Sequence, residues 1–157
     1  MLDLAAGRGR HTAVLLAAGC RVLAIDRDAA VLATRFGNDA RCEIKEIDLE
    51  DGHSWRLGGG FDAIVVTNYL HRPLLPAMPD ALAPDGLLLY ETFMTGNERF
   101  GRPTNPDFLL RPGELLAAFL SRLQVLAFEQ GVVTMPRAAA IQRIAAVKSA
   151  VPGTLPL

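Results

Sequence analysis

The first 26 residues hold two short apolar runs separated by a glycine loop and a stretch of helical spacing. Leu2 to Ala5 is apolar except for Asp3 and runs straight into Ala6-Gly7-Arg8-Gly9-Arg10. Thr12 to Ala18 reads as a helix, and Gly19 stops it. Arg21 to Ile25 is apolar at Val22, Leu23 and Ile25 and ends at Asp26. A strand, a helix and a second strand in this order pair in parallel, because the helix carries the chain back to the start of the sheet. Parallel strands of this kind call for cover on both faces.

The alternation continues. Asp28 can cap a helix through about Phe36, Gly37-Asn38-Asp39 is a turn, and Cys42 to Ile47 is a third strand ending at Asp48-Leu49. A glycine-rich loop spans 53–60, and Phe61 to Thr67 is a buried strand. Pro76 and Pro79 shorten or distort the helix expected over Leu74 to Leu82. Asp85-Gly86 is a turn before a strand from Leu87 to Thr92. Met94 to Pro106 reads as a long loop, and Pro112 opens a helix through about Ser121. Gln124 to Gln130 and Ala140 to Lys148 close the chain as an antiparallel pair. The expected fold is α/β: a Rossmann-like, doubly wound, mostly parallel sheet with an antiparallel C-terminal strand pair. Ligands then belong at the carboxyl ends of the first, second and fourth strands.

Composition narrows the function classes. With 16 basic and 17 acidic residues the net charge is −1, which gives no global electrostatic case for nucleic acid or an anionic membrane. The chain shows no apolar run of spanning length and no signal peptide, so the expected location is cytoplasmic. Cys20 and Cys42 read as buried free thiols, and no ligand spacing points to a metal.

The glycine loop carries the chemistry. A dinucleotide site takes G-x-G-x-x-G, but here Gly7 and Gly9 are followed by Thr12 where the third glycine would stand. Asp3, just before the loop, suits an ammonium or sulfonium better than a pyrophosphate. Asp26 falls 23 residues later, the length of one strand–helix–strand unit, where a carboxylate can accept from a ribose diol.

These residues resemble the class I S-adenosylmethionine-dependent methyltransferases. The resemblance rests on Asp3-Leu4-Ala5-Ala6-Gly7-Arg8-Gly9, Asp26, Asp48-Leu49, Phe61 to Val66 with Asn68-Tyr69-Leu70-His71, and Gly86-Leu87-Leu88-Leu89. The opening pattern and compact size are most similar to the small tellurite-resistance-related methyltransferases. The resemblance implies one S-adenosylmethionine-binding domain over 1–157 that methylates a small molecule. It implies that Asp3, with backbone groups of Ala5 and Gly7, holds the methionine amino end, and that Gly9 lets the chain turn close to the cofactor. Asp26 would hold the ribose hydroxyls and Arg27 would flank the adenine. Asp48 would accept from the adenine amino group, the Leu49 amide would face a ring nitrogen, and Asn68 and Tyr69 would lie near the transferred methyl. Relatives commonly carry helices before the first strand; this chain is expected to lack that cover, and an exposed apolar surface makes self-association an expectation.

Simpler roles compete. Asp3 could cap the turn, Asp26 could lead a helix, and Asp48 sits in an acidic run with Glu46, Glu50 and Asp51 that suits a solvated face. Arg8 and Arg10 read as surface residues of the loop. Methyl transfer needs a base only for a protonated nucleophile, and Tyr69, His71 and Glu91 are the candidates. Arg99, Arg102 and Arg111, with Asn97 and Asn105, either grip an anionic substrate or tie the long loop to itself. Two other functions stay open: an NAD(P)-dependent Rossmann oxidoreductase and a non-catalytic cofactor-binding remnant.

Overall fold

The computed structural model describes residues 1–52 and 58–149; most of the glycine-rich loop expected at 53–60 lies outside them. Strand β1 (Leu2–Leu4) is central, parallel to β2 (Val22–Asp26) on one side and β4 (Phe61–Thr67) on the other. Strand β3 (Cys42–Glu46) lies outside β2, and β5 (Leu82–Phe93) lies beside β4, both in parallel. Strands β6 (Gln124–Val133) and β7 (Ala139–Val147) form an antiparallel pair, and β7 is the one that joins β5. The sheet order is β3-β2-β1-β4-β5-β7-β6. Winding therefore reverses between β1 and β4, and a crevice opens at their carboxyl ends.

Alternation along each strand divides the side chains between two faces. Leu2, Leu4, Ile64, Val66, Leu88 and Tyr90 enter the larger core. There they meet Leu74 of a 3-10 segment (Arg72–Ala77), Met78 of α3 (Met78–Ala81), and Leu115 and Phe119 of α4 (Glu114–Phe119). The expected proline-distorted helix is thus a 3-10 segment followed by a single α turn. A smaller core on the other face joins Val22 and Ala24 to Leu16 of α1 (Arg10–Ala17), and to Leu32 and Phe36 of α2 (Ala30–Phe36).

Cover on that second face is incomplete. The connections from β4 to β5 and from β5 to β6 both place their helices against the larger core. Among the described residues no helix is left for the other face of β5 and β7, where Leu89 remains 39% exposed, while Ala63 and Val65 on that face of β4 are buried.

Two further departures have local causes. The expected Asp85-Gly86 turn lies inside β5, as an irregularity where the pairing jumps from Phe61↔Leu82 to Ala63↔Leu87. Asp85 takes a left-handed φ of 59°, and a Cβ on Gly86 would fall 2.7 Å from the Phe61 carbonyl oxygen. The Asp85 amide and the Gly86 carbonyl are instead satisfied by Lys148, at 2.8 and 2.9 Å.

The long loop after β5 is anchored rather than free. Asn97, buried in a 3-10 turn, donates to the Pro103 carbonyl at 3.3 Å and accepts from the Ala140 amide at 3.2 Å. Asn105 caps a second 3-10 turn by accepting from the Asp107 amide at 3.0 Å. Arg72 grips Glu114 through two hydrogen bonds of 2.6 and 3.0 Å and donates to the carbonyls of Asp107 and Leu109 at 2.7 and 2.9 Å. The fully buried Gln142 donates to the Arg111 carbonyl at 2.5 Å and accepts from the Leu115 amide at 3.1 Å. These contacts fix the roof of the crevice.

Candidate functional site

The loop after β1 turns tightly because Ala5, Gly7 and Gly9 all adopt left-handed backbone, with φ of 54°, 56° and 74°. The glycines take this conformation without steric cost, whereas Ala5 is strained by it, and such residues gather where function over-determines the backbone. The Ala6 amide donates to the Ile25 carbonyl at 2.8 Å, and the Gly7 amide donates to Asp26 Oδ2 at 2.7 Å. The tip of β2 thus holds the loop of β1. Asp28 adds an amide to Asp26 Oδ1 at 3.1 Å.

Asp3 lies beneath the loop, 2% exposed, where its Oδ2 accepts from the Thr12 hydroxyl at 2.6 Å. Burial pushes its pKa up, against the opposing effects of the Thr12 hydrogen bond and of nearby His11. Thr12, which stands where a third glycine would be, therefore serves to satisfy a buried acid. His11 itself reaches Thr67, with Nδ1 3.2 Å from the hydroxyl oxygen.

A cavity of about 430 Å³ opens at the point where the winding reverses. Ala5, Asp26 and Arg27 line it from the ends of β1 and β2; Ile47, Asp48, Leu49 and Glu50 line it from the segment after β3. Asn68, Tyr69 and Leu70 come from the end of β4, Thr92 and Phe93 from β5, and Pro103 and Phe108 from the anchored loop. Asn68, like Ala5, is left-handed, with φ of 55°. A carboxylate offers roughly four acceptor positions. The Gly7 and Asp28 amides occupy one on each Asp26 oxygen, leaving one on each for a diol.

Tyr69 is held from behind, its carbonyl accepting from the buried Tyr90 hydroxyl at 2.9 Å. Its own hydroxyl is buried without a hydrogen bond. Burial pushes the Tyr69 pKa far up, and Glu50 and Asp48 push it further by their charge. The Glu50 carboxylate thus lies close enough to favour the protonated phenol by charge and hydrogen bonding, although the two groups do not meet in full hydrogen-bond geometry. A phenol in this state is a neutral donor and not a base at physiological pH. Leaving such a donor unsatisfied costs about 1–3 kcal/mol. Tyr69→Phe is expected to raise the stability of the ligand-free protein by about 1 kcal/mol in urea unfolding. A loss of stability of that size would mean the hydroxyl has an acceptor.

The structure gathers many of the residues singled out in the sequence and separates others. Ala5, Asp26, Arg27, Asp48, Leu49, Asn68 and Tyr69 share one cavity, while Asp3, Gly7 and Gly9 build the loop behind it. His71 precedes the 3-10 segment, accepts from the Leu74 amide through its carbonyl, and lines neither this cavity nor its neighbour. Arg99 lies exposed over the Phe100 ring, 5.9 Å from its centroid, away from both cavities.

The neighbouring cavity, of about 600 Å³, shares Asn68 and Phe93 with the first. Glu91 and Arg102 line it, as do Arg10, Arg137 and Arg143. Arg10 reads from sequence as a surface residue. Arg137 carries no sequence signal, because only the β6–β7 turn brings it here. Among the described residues no group of three His, Cys, Asp or Glu side chains is placed to hold a metal, and no helix is long and apolar enough to cross a membrane.

No protein-family model matches the sequence, and no curated protein matches it. The fold does have solved counterparts. TehB from Haemophilus influenzae superposes with a TM-score of 0.74 at 17% identity, over 94% of this chain and 57% of that one. The N-methyltransferase NodS from Bradyrhizobium japonicum WM9 gives 0.71 at 18% identity, over 94% and 84%. The 1,6-didemethyltoxoflavin-N1-methyltransferase from Burkholderia thailandensis, solved with S-adenosylhomocysteine, gives 0.66 at 22% identity, over 94% and 70%. This chain therefore spans little more than half the length of TehB. It has the fold of the S-adenosylmethionine-dependent methyltransferases.

Proposed function

We propose that this chain is an S-adenosylmethionine-dependent methyltransferase domain acting on a small molecule. The observation that carries this is the Asp26 carboxylate, which faces the cavity at the reversal point with one acceptor position left on each oxygen. Ile47 and Leu49 provide an apolar surface for a flat heterocycle beside it, and Asp48 places a carboxylate at the rim. Asp3 beneath the loop favours a cationic methionine end over a pyrophosphate. The solved S-adenosylhomocysteine complex of a similarly folded protein supports the same choice.

Bound there, S-adenosylmethionine would supply an electrophilic methyl group to an acceptor lone pair, with its sulfur retaining the electrons of the broken bond. The protein's share is positioning and exclusion of water. Asn68 lines both cavities, which supports a place for it between donor and acceptor. Tyr69 stays protonated and can donate its unpaired hydroxyl to a ligand oxygen or nitrogen. Arg72 and Gln142 anchor the end of the loop whose residues line both cavities.

Calorimetric titration separates this function from the nicotinamide alternative. S-adenosylhomocysteine is expected to bind and NADH is not. Binding of NADH alone would overturn the assignment.

A further inference from the structure

The 600 Å³ cavity holds an unusual excess of positive charge. Arg10 reaches it from the start of α1, Arg102 from the anchored loop and Arg137 from the β6–β7 turn. None of these three guanidinium groups has a hydrogen-bond or ion-pair partner among the described residues. The fourth arginine, Arg143, is already taken. It donates to Glu129 at 2.5 Å and lies 3.6 Å from Glu91, the one acid in the lining. Three separate chain segments thus bring uncompensated cations to a single concavity, where like charges repel until an anion joins them.

Apart from Glu91, Asn68 and Asn97, the rest of the lining is apolar. Phe93, Phe100, Met135 and Ile141 face the same space. A bare inorganic oxyanion would leave that surface wet and unused. A guanidinium matches a carboxylate with two parallel hydrogen bonds, which a neutral polar group cannot supply.

We propose that this cavity binds the methyl acceptor, and that the acceptor is an organic carboxylate with an apolar body. The proposal rests on the methyltransferase function for the word acceptor, and on Arg10, Arg102 and Arg137 for the anion. Those arginines fix the carboxylate end, while the apolar body lies along Phe93 towards Asn68 and the cofactor cavity.

The test uses 3-phenylpropionate, its neutral amide and inorganic sulfate as probes, titrated calorimetrically with and without saturating S-adenosylhomocysteine. The carboxylate should bind at least about tenfold more tightly than the amide and than sulfate, the difference expected of one charge-assisted pair and one buried ring. Arg102→Gln combined with Arg137→Gln should weaken the carboxylate by about tenfold or more and leave S-adenosylhomocysteine affinity within about twofold, since neither side chain touches the first cavity. Both are exposed, so the fold should survive. Equal binding of acid and amide, sulfate binding as tight as the carboxylate, no binding of any probe, or an unaffected double variant would each overturn the proposal. Arginine-dependent carboxylate binding in a protein that does not bind S-adenosylhomocysteine would keep the anion site and reject the methyltransferase function.

Discussion

Gly9→Ala should destabilise the protein by about 3 kcal/mol, measured as the change in unfolding free energy in urea. Two costs combine. The φ of 74° puts the residue in left-handed backbone, which costs an alanine about 1–2 kcal/mol. A Cβ there would sit 2.4 Å from Phe36 Cε2 and 2.9 Å from Leu32 Cδ2, so the inner face of α2 must shift, at roughly 1–3 kcal/mol. Phe36 has little freedom to yield, since it packs in the smaller core and carries the Arg35 guanidinium 4.8 Å above its ring. Gly7→Ala is the matched control. Its φ of 56° imposes the backbone cost, but nothing lies within 4 Å of the added carbon. It should lose only about 1 kcal/mol. Equal losses at the two positions would mean that contact with α2 does not explain Gly9.

Asp26→Ala should weaken S-adenosylhomocysteine binding by about 100-fold, equivalent to roughly 2.7 kcal/mol. The substitution removes both acceptor positions proposed for the ribose diol, a combined loss on the scale of about 1.5–3 kcal/mol for hydrogen bonding to a charged group in contact with water. It also releases the Gly7 amide, held at 2.7 Å, so the loop after β1 loses its tie to β2. Asp26→Asn should fall between the wild type and the alanine variant, since its one carbonyl oxygen can keep either the loop or the ligand. Calorimetric titration checks the ranking, with far-ultraviolet circular dichroism to show that the fold persists. An alanine variant within about threefold of wild type would remove Asp26 from the ribose contact.

Much of this arrangement was legible in the chain. Phe61 to Thr67 is a strand at the bounds read from its apolar run, because a central parallel strand is buried on both faces and needs no partner-specific clue. The loop of Gly7 and Gly9 and the acid at Asp26 were equally plain, since strand, turn and strand tip are local features. The reason for Gly9 was not. Beside the close approach to the cofactor that the resemblance implies, α2 is pressed against this glycine, a separate constraint that no local pattern carries. Thr12 looked like a missing glycine and is the partner of a buried acid. Asn97 and Asn105, open between substrate and scaffold in sequence, tie down the loop.

The arginines show the limit most clearly. Arg99 and Arg102 stand three residues apart in one loop and look equivalent in sequence. One lies over Phe100 at the surface and the other lines the second cavity. Their fates depend on how Asn97 folds the turn between them, and on β7 pairing with β5 so that the β6–β7 turn brings Arg137 alongside. The sequence alone determined the alternation of strands and helices, the parallel sheet and the position of the loop along it, because burial periodicity, glycine conformation and crossover handedness act over short stretches of chain. Only the tertiary structure decided which charges converge, which face of the sheet stays open and which acid is buried. Those outcomes depend on contacts between segments far apart in the chain, and local residue patterns carry no record of them.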